Sequence, residues 1–357
     1  MHRTWAAILI ATSVALAACA GGTPSAGPTG SPADAPTAAV TGSPQEPPVA
    51  TPDSSPSASP DTPGTATTLN VSLIPIIDVA PLYLAIDKGW FTAEGLTVRP
   101  QIAQTGAATA AAVVSGEAQI GFAAIAPLLQ AQVQGFPLEL VAPSISSLPP
   151  EPPDPNGNNP VVVRSDGDIE TAADLNGETV AVNALQAVAE LIVRASADRL
   201  GADSSTFEFV AIPFPEMIPA LEAGRVDAVA LVPPFYEGAL QAGHRAVFFS
   251  YPYDDDARFP LAAWFSSSDL IDSDPQAVER FARVMREANA YAQENPDEVR
   301  AIVPTYTQVP PEVAQNIFLP EFDVELDVAG IEREAQLMVE YGFVDEPPDV
   351  AALIGDS

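Results

Sequence analysis

The chain has 357 residues and a formal net charge of −33, from 47 acidic and 14 basic residues. That balance excludes polyanion binding as a main activity, because nucleic-acid affinity comes chiefly from basic side chains that neutralise phosphates. One cysteine and two histidines also leave too few soft or imidazole ligands for cysteine-rich or multi-histidine metal clusters.

In chain order, Met1, His2 and Arg3 precede an uncharged run from Thr4 to Ala18. A basic start and an apolar core too short to span a bilayer of roughly 30 Å predict a signal peptide over residues 1–18. The segment ends in Leu16-Ala17-Ala18-Cys19, which resembles a bacterial lipobox. Small residues before the cut fit a peptidase groove, and the Cys19 thiol takes the lipid. A chance cysteine behind an ordinary secretion signal is the alternative; three agreeing features favour lipidation. A diacylated, N-acylated Cys19 anchors a protein stably and leaves no free thiol for other chemistry.

Residues 20–67 hold eleven prolines and no lysine or arginine. Such composition cannot bury enough apolar surface to fold, so residues 19–67 read as a lipidated cysteine and a disordered linker. A flexible chain of this length reaches roughly 35–42 Å, at about 5–6 Å × √n. A partner-binding proline tract is the competing reading, but no basic or aromatic anchor accompanies the prolines.

From Thr68 onward the chain carries 43 acidic and 13 basic residues, with Lys88 the sole lysine. This stretch is long enough for two ordinary domains. "LNVSLI" predicts a strand from Leu69, and "APLYLAIDKG" a short helix that Gly89 ends. Strands "LTVRPQI" and "AQIGFAAI" alternate with helices "GAATAAAVVSG" and "APLLQAQVQG", and "LELVAP" closes the series. Alternation of this kind implies βαβ units and a mostly parallel sheet.

The pattern then restarts. "PVVVRSD", "TVAVNA", "TFEFVAIPF", "VDAVALV" and "RAVFFS" predict strands, with helices over Gln186–Leu200, "PEMIPALEAG" and "PPFYEGALQAG" between them. "SGEAQIGFAAIAP" (Ser115–Pro127) and "AGRVDAVALVPPF" (Ala223–Phe235) share one order: a helix-ending Gly, a turn, an apolar strand and a proline-started helix. That match suggests two similar α/β lobes. After Ser250 the strand "PLAAWFSS" leads to a long helix from Asp274-Pro275, with Val278, Phe281, Ala282, Met285 and Ala288 at helical spacing. Asn295-Pro296 starts another helix in an all-helical tail.

"PLYLAIDKGWFTAEGLTV", "SGEAQIGFAA", "ADLNGETVAV", "PALEAGRVDAVAL" and "NPDEVRAIV", in this order and spacing, resemble the nitrate/sulfonate/taurine-type solute-binding proteins of ABC importers. Binders of the thiamine pyrimidine precursor are in the same group. The resemblance covers Leu69 to about Ile354. It implies an α/β, two-lobe, periplasmic-binding-protein-like fold of the second type, with two crossing hinge strands and C-terminal helices on the first lobe. Residues 68–160 and 251–357 would form lobe I and residues 161–250 lobe II. It further implies a monomeric, non-enzymatic receptor without a cofactor, tethered outside a bacterial cell membrane by its lipid alone. Such a receptor would take a small-molecule ligand to a permease and its ATPase. The chain has no glycine-rich phosphate loop of its own.

In open α/β sheets ligands sit beyond the carboxyl ends of strands, near helix N-termini. Here those loops are Pro75–Pro81, Gln104–Ala108, Ala123–Pro127, Asn183–Ala187, Pro213–Met217 and Leu231–Tyr236, and none holds Arg, Lys or His. The expected contacts are Ile77, Asp78, Thr105, Gly106, Ala124, Ile125, Leu185, Gln186, Phe214, Val232 and Phe235, with Trp264 as a further stacking surface. An apolar lining with few polar groups suits a neutral or heteroaromatic molecule. Helix N-termini leave a small anion (sulfonate, taurine or nitrate) as the alternative. Asp78 has two readings, an acceptor for a ligand amino group or an N-cap for the helix near Val79. Glu216 is ordinary dipole complementation at a helix start.

Enzyme readings fare worse. One branch of this fold makes a pyrimidine with histidine, iron and a cysteine-rich motif, but His244 is the sole histidine after His2 and Cys19 is the lipid site. A Ser–His–acid set fails on the same count. "DPNGNN" (Asp154–Asn159) weakly resembles a calcium loop but lacks Gly at its sixth position and has Ser165 where the twelfth-position Glu belongs. Asp254-Asp255-Asp256 reads as a solvated charge run. A surface sensor lipoprotein without transport is the remaining alternative.

Overall fold

A computed structural model describes residues 66–147, 159–253 and 258–355. The chain opens with β1 (Thr67–Leu73), α1 (Ala80–Asp87), α2 (Trp90–Ala93) and β2 (Leu96–Ile102). It continues through α3 (Gly106–Val114), β3 (Ile120–Ala124), α4 (Ile125–Val133) and β4 (Leu138–Ser147). A second series follows: β5 (Pro160–Val163), β6 (Thr179–Val182), α5 (Val188–Arg199) and β7 (Glu208–Ala211). It ends with α6 (Phe214–Glu222), β8 (Ala228–Ala230), α7 (Phe235–Gln241) and β9 (Arg245–Phe249). The return is β10 (Phe259–Ser267), then α8 (Ser268–Ser273), α9 (Pro275–Glu294) and α10 (Pro296–Ile302). Last come α11 (Pro311–Ala314), β11 (Glu321–Phe322), α12 (Val328–Glu340) and α13 (Val350–Ile354).

These strands make two sheets of one design. The first has the order β11-β4-β10-β3-β1-β2 and the second β7-β6-β8-β5-β9. In each, three parallel strands (β2-β1-β3 and β7-β6-β8) meet an antiparallel fourth. That fourth strand, β10 or β5, is the one that has just arrived from the other sheet. The chain thus passes between the sheets twice, which makes two lobes joined at two crossings. Ser115–Pro127 and Ala223–Phe235, matched in sequence, occupy equivalent places around β3 and β8. Gly116 and Gly224 both end their helices at positive φ, 76° and 63°, a conformation that costs little without a Cβ.

The C-terminal helices complete the first lobe. Asp274 caps α9 through a bond from Ala277 N–H, and Pro275 opens its first turn. Val278, Phe281, Ala282, Met285 and Ala288 are all buried along its inner face. Phe281 meets Phe91 at 5.5 Å and Trp264 at 5.6 Å between ring centroids. On β10's neighbour β3, Gly121 leaves room for the buried Phe265 ring, which a Cβ at that position would strike.

Some boundaries differ from the sequence reading. β1 begins two residues earlier, at Thr67, because Thr67 N–H already bonds to Gly95 O in the β2 ladder. α2 is an added turn, set off by Gly89 at φ 75°. α5 starts at Val188 rather than Gln186, since Gln186 is held at φ 52°, outside the helical region. Among the described residues no helix is long and apolar enough to cross a membrane.

Candidate ligand cleft

A cavity of about 540 Å³ opens where the two lobes face each other. Ile74, Pro75 and Ile76 after β1, with Ile102 at the end of β2 and Gln104 beyond it, form one wall. Phe214, Pro215 and Ile218 of α6 and Pro234, Phe235, Gly238 and Gln241 at α7 form the facing wall. The third side is the segment Tyr306–Pro310 with Val313, between α10 and α11.

Aromatic pairs brace this space. Phe214 and Phe235 stack at 5.4 Å with an interplanar angle of 17°. Tyr83 of α1 stacks on Tyr306 at 4.1 Å, nearly coplanar at 5°. Tyr306 Oη donates to Ile76 O at 3.2 Å, which ties the third wall to the first. None of the eighteen lining residues carries a charge; the polar ones are Gln104, Gln241, Gln308, Thr307 and Tyr306.

Phe214 and Phe235 are thus the expected contacts that line the cavity, joined by Pro75, Ile76 and Gln104 from the expected loops. Others are engaged elsewhere. Ile77 is buried and its N–H donates to Pro233 O of the facing lobe at 3.3 Å. Thr105 caps α3, its Oγ1 accepting from Ala108 N–H at 3.2 Å. Gly106 is buried against Ala123 and Pro127. Ala124 is the N-cap residue of α4, and Ile125 is buried in its first turn. Leu185 is exposed, and Gln186 O accepts from Gln130 Nε2 across the lobes at 2.6 Å. Val232 O accepts from Phe235 and Tyr236 N–H at the start of α7.

Trp264 is not a cleft surface. It is fully buried in the first lobe, 5.1 Å from Phe122 and 5.6 Å from Phe281 between centroids. β10 is apolar and buried on both faces, so its sequence leaves the direction of the ring open, and the strand turns it toward α9. Tyr251 and Tyr253 are likewise buried, packed edge-on at 6.0 Å.

Asp78 is not a helix cap. A 3-10 turn over Ile77–Val79 displaces the start of α1 to Ala80, and no side chain caps either element. The Asp78 carboxyl has no basic partner among the described residues, and burial pushes it up to about 7. Glu216 lies in the first turn of α6, as expected. His244 follows α7, with Nε2 3.6 Å from Glu222 Oε1. Among the described residues no three His, Cys, Asp or Glu side chains converge to hold a metal ion. Cys19, most of "DPNGNN" and Asp254–Asp256 lie outside the described residues.

The Tyr306–Pro310 wall escapes strand-end reasoning, because it follows a helix and belongs to no βα unit. Its only trace in the sequence is an aromatic, proline-flanked run, "TYTQVPP", among amphipathic helices.

A model of the NMT1/THI5-like family matches residues 76–299. No curated protein matches the sequence. Among solved structures, the periplasmic aliphatic sulphonate binding protein SsuA from Escherichia coli is similar, with 17% identity and a TM-score of 0.62 over 81% of this chain and 92% of that one. The periplasmic nitrate-binding protein NrtA from Synechocystis PCC 6803 is 15% identical, with a TM-score of 0.67 over 81% of this chain and 85% of its own. The ligand-binding component of an ABC-type import system from Staphylococcus aureus, with zinc bound, is 13% identical at a TM-score of 0.67, over 81% and 96%. With its paired sheets, double crossing and these likenesses, the chain belongs to the NMT1/THI5-like family and has the two-lobe periplasmic-binding-protein fold.

Proposed function

We propose that this protein is an extracytoplasmic solute-binding lipoprotein that captures a small, uncharged organic molecule and delivers it to the permease of an ABC importer. In this reading residues 1–18 are removed, Cys19 carries the lipid, and the linker before Thr67 lets a monomeric receptor reach its permease. Lobe I takes residues 67–159 and 251–357 and lobe II residues 160–250, one residue off the sequence expectation at two edges because Thr67 pairs in β1 and Pro160 in β5. The receptor itself catalyses nothing.

The ligand class rests on one observation: in a chain of net charge −33, eighteen of the described residues line the cleft and none of them is charged. Apolar walls with a few amides and hydroxyls favour a neutral, planar molecule that stacks on Phe214 and Phe235. The names of SsuA and NrtA, a sulphonate binder and a nitrate binder, keep a small anion as the second reading.

Calorimetric titration with uncharged, amino-bearing heterocycles tests the cleft. Phe235→Ala removes a stacking face and its apolar contact, about 2–3 kcal/mol, and weakens binding roughly 30- to 150-fold. Unchanged affinity in Phe235→Ala would place the ligand elsewhere.

A further inference from the structure

Hydrogen bonds cross the seam between the lobes at several points, Tyr341 Oη to Asp198 Oδ2 at 3.1 Å among them. Ile77 N–H donates to Pro233 O at 3.3 Å, Phe318 N–H to Glu237 Oε1 at 2.9 Å, and Gln130 Nε2 to Gln186 O at 2.6 Å. Two carboxyl groups belong to the segments that the Ile77 and Phe318 bonds join. Glu237, in the first turn of α7, is buried, and its second oxygen, Oε2, has no hydrogen-bond partner. Asp78 directly follows Ile77 and is half-buried.

Neither carboxyl is offset by a basic side chain among the described residues. The titratable groups that face them are tyrosines: Tyr306, stacked on Tyr83, beside Asp78, and Tyr236 beside Glu237. A carboxylate stripped of water and given no counter-charge favours its neutral form. Parting the lobes breaks the Phe318–Glu237 and Ile77–Pro233 bonds, frees Glu237 of its partner on the first lobe and opens the seam beside Asp78.

We propose that closure of the lobes takes up protons on Asp78 and Glu237, so that the receptor closes more readily as its surroundings become acidic. The inference extends the receptor reading, and its test uses no ligand, so the two can fail separately. Burial raises Asp78 from 3.8 to about 7 and also raises Glu237. In the open form, with the seam parted, both return toward ordinary carboxyl values. Between the open and closed values of each group, the closed-to-open ratio falls about tenfold per pH unit for each proton.

Hydrogen exchange on the full chain, corrected for the intrinsic pH dependence of exchange, reads this directly. The Ile77 and Phe318 amides, which donate across the seam, become together at least about tenfold more protected at about pH 5 than at about pH 8. Glu237→Gln and Asp78→Asn keep the side-chain shape while staying neutral. Each variant holds more seam protection at the higher pH and shows a shallower pH dependence than the parent chain. Melting temperatures of both variants establish that they fold. Equal seam protection at the two pH values in the parent chain would overturn the proposal, as would variants that keep its full pH dependence.

Discussion

The full chain melts at a higher temperature at about pH 5 than at about pH 8, by at least about 5 °C. The cause is a set of carboxyl groups that burial deprives of water. Asp78 is pushed up to about 7 and Asp323 to about 6, against 3.8 for an unburied aspartate. Glu237 and the fully buried Glu334 rise for the same reason.

In the unfolded chain these groups give up their protons near pH 4. In the folded protein Asp323 and Asp78 keep theirs to pH 6 and 7. Folding therefore binds protons between those limits. The stabilisation is complete below pH 4 and is lost as the pH rises through 6 to 7. For Asp323, buried beside Arg258 and Ser146, the rise from 3.8 to about 6 corresponds to about 3 kcal/mol lost by pH 8. Protonation also relieves part of the repulsion in a chain of net charge −33. Asp174 and Glu298 act in the opposite sense, held low chiefly by bonds from Thr171 and Lys88, but their contribution is lost only below pH 4. A melting temperature that falls steadily from pH 8 to pH 5 would contradict this account of the buried acids.

Trp264→Ala destabilises the protein by about 3–5 kcal/mol, the usual cost of emptying a large aromatic site in a close-packed core. The ring is fully buried and in contact with both Phe122 and Phe281, so its loss opens a cavity between β10 and α9. Denaturant unfolding measures the loss. The conservative Trp264→Phe leaves ligand affinity unchanged, because the ring does not reach the cleft. Weakened binding with intact stability would instead make Trp264 a ligand contact.

Much of the fold is legible because each element carries its own signal. Apolar, β-branched runs mark the strands, helix-ending glycines such as Gly89 and Gly116 mark the turns, and Asp274-Pro275 announces α9. Among the pieces that escape notice, α2, the 3-10 turn at Ile77–Val79 and the strand β11, which pairs with β4 in a tail expected to be all-helical, span two to four residues, too short for any periodicity to register. That small turn is also what removes Asp78 from the cap position.

The site is legible only in part. Strand-end loops do come together, but several are occupied by each other: Ile77 bonds to Pro233, and Gln130 reaches Gln186. The open volume lies beside those contacts, where a segment from the helical tail supplies the third wall. The stack of Tyr83 on Tyr306 joins residues more than two hundred positions apart, and no local pattern announces it.

The central claim is that the cleft holds an uncharged organic molecule, and thermal shifts of the full chain against two ligand sets test it most directly. One set holds uncharged and amino-bearing heterocycles, the other nitrate, sulfonates and taurine. A ligand at about 100 times its dissociation constant adds about 2.7 kcal/mol, enough to raise the melting temperature visibly. The charge-free lining predicts shifts with members of the first set and none with the second. Stabilisation by nitrate or sulfonates alone would contradict it and assign recognition to backbone N–H groups at the helix starts.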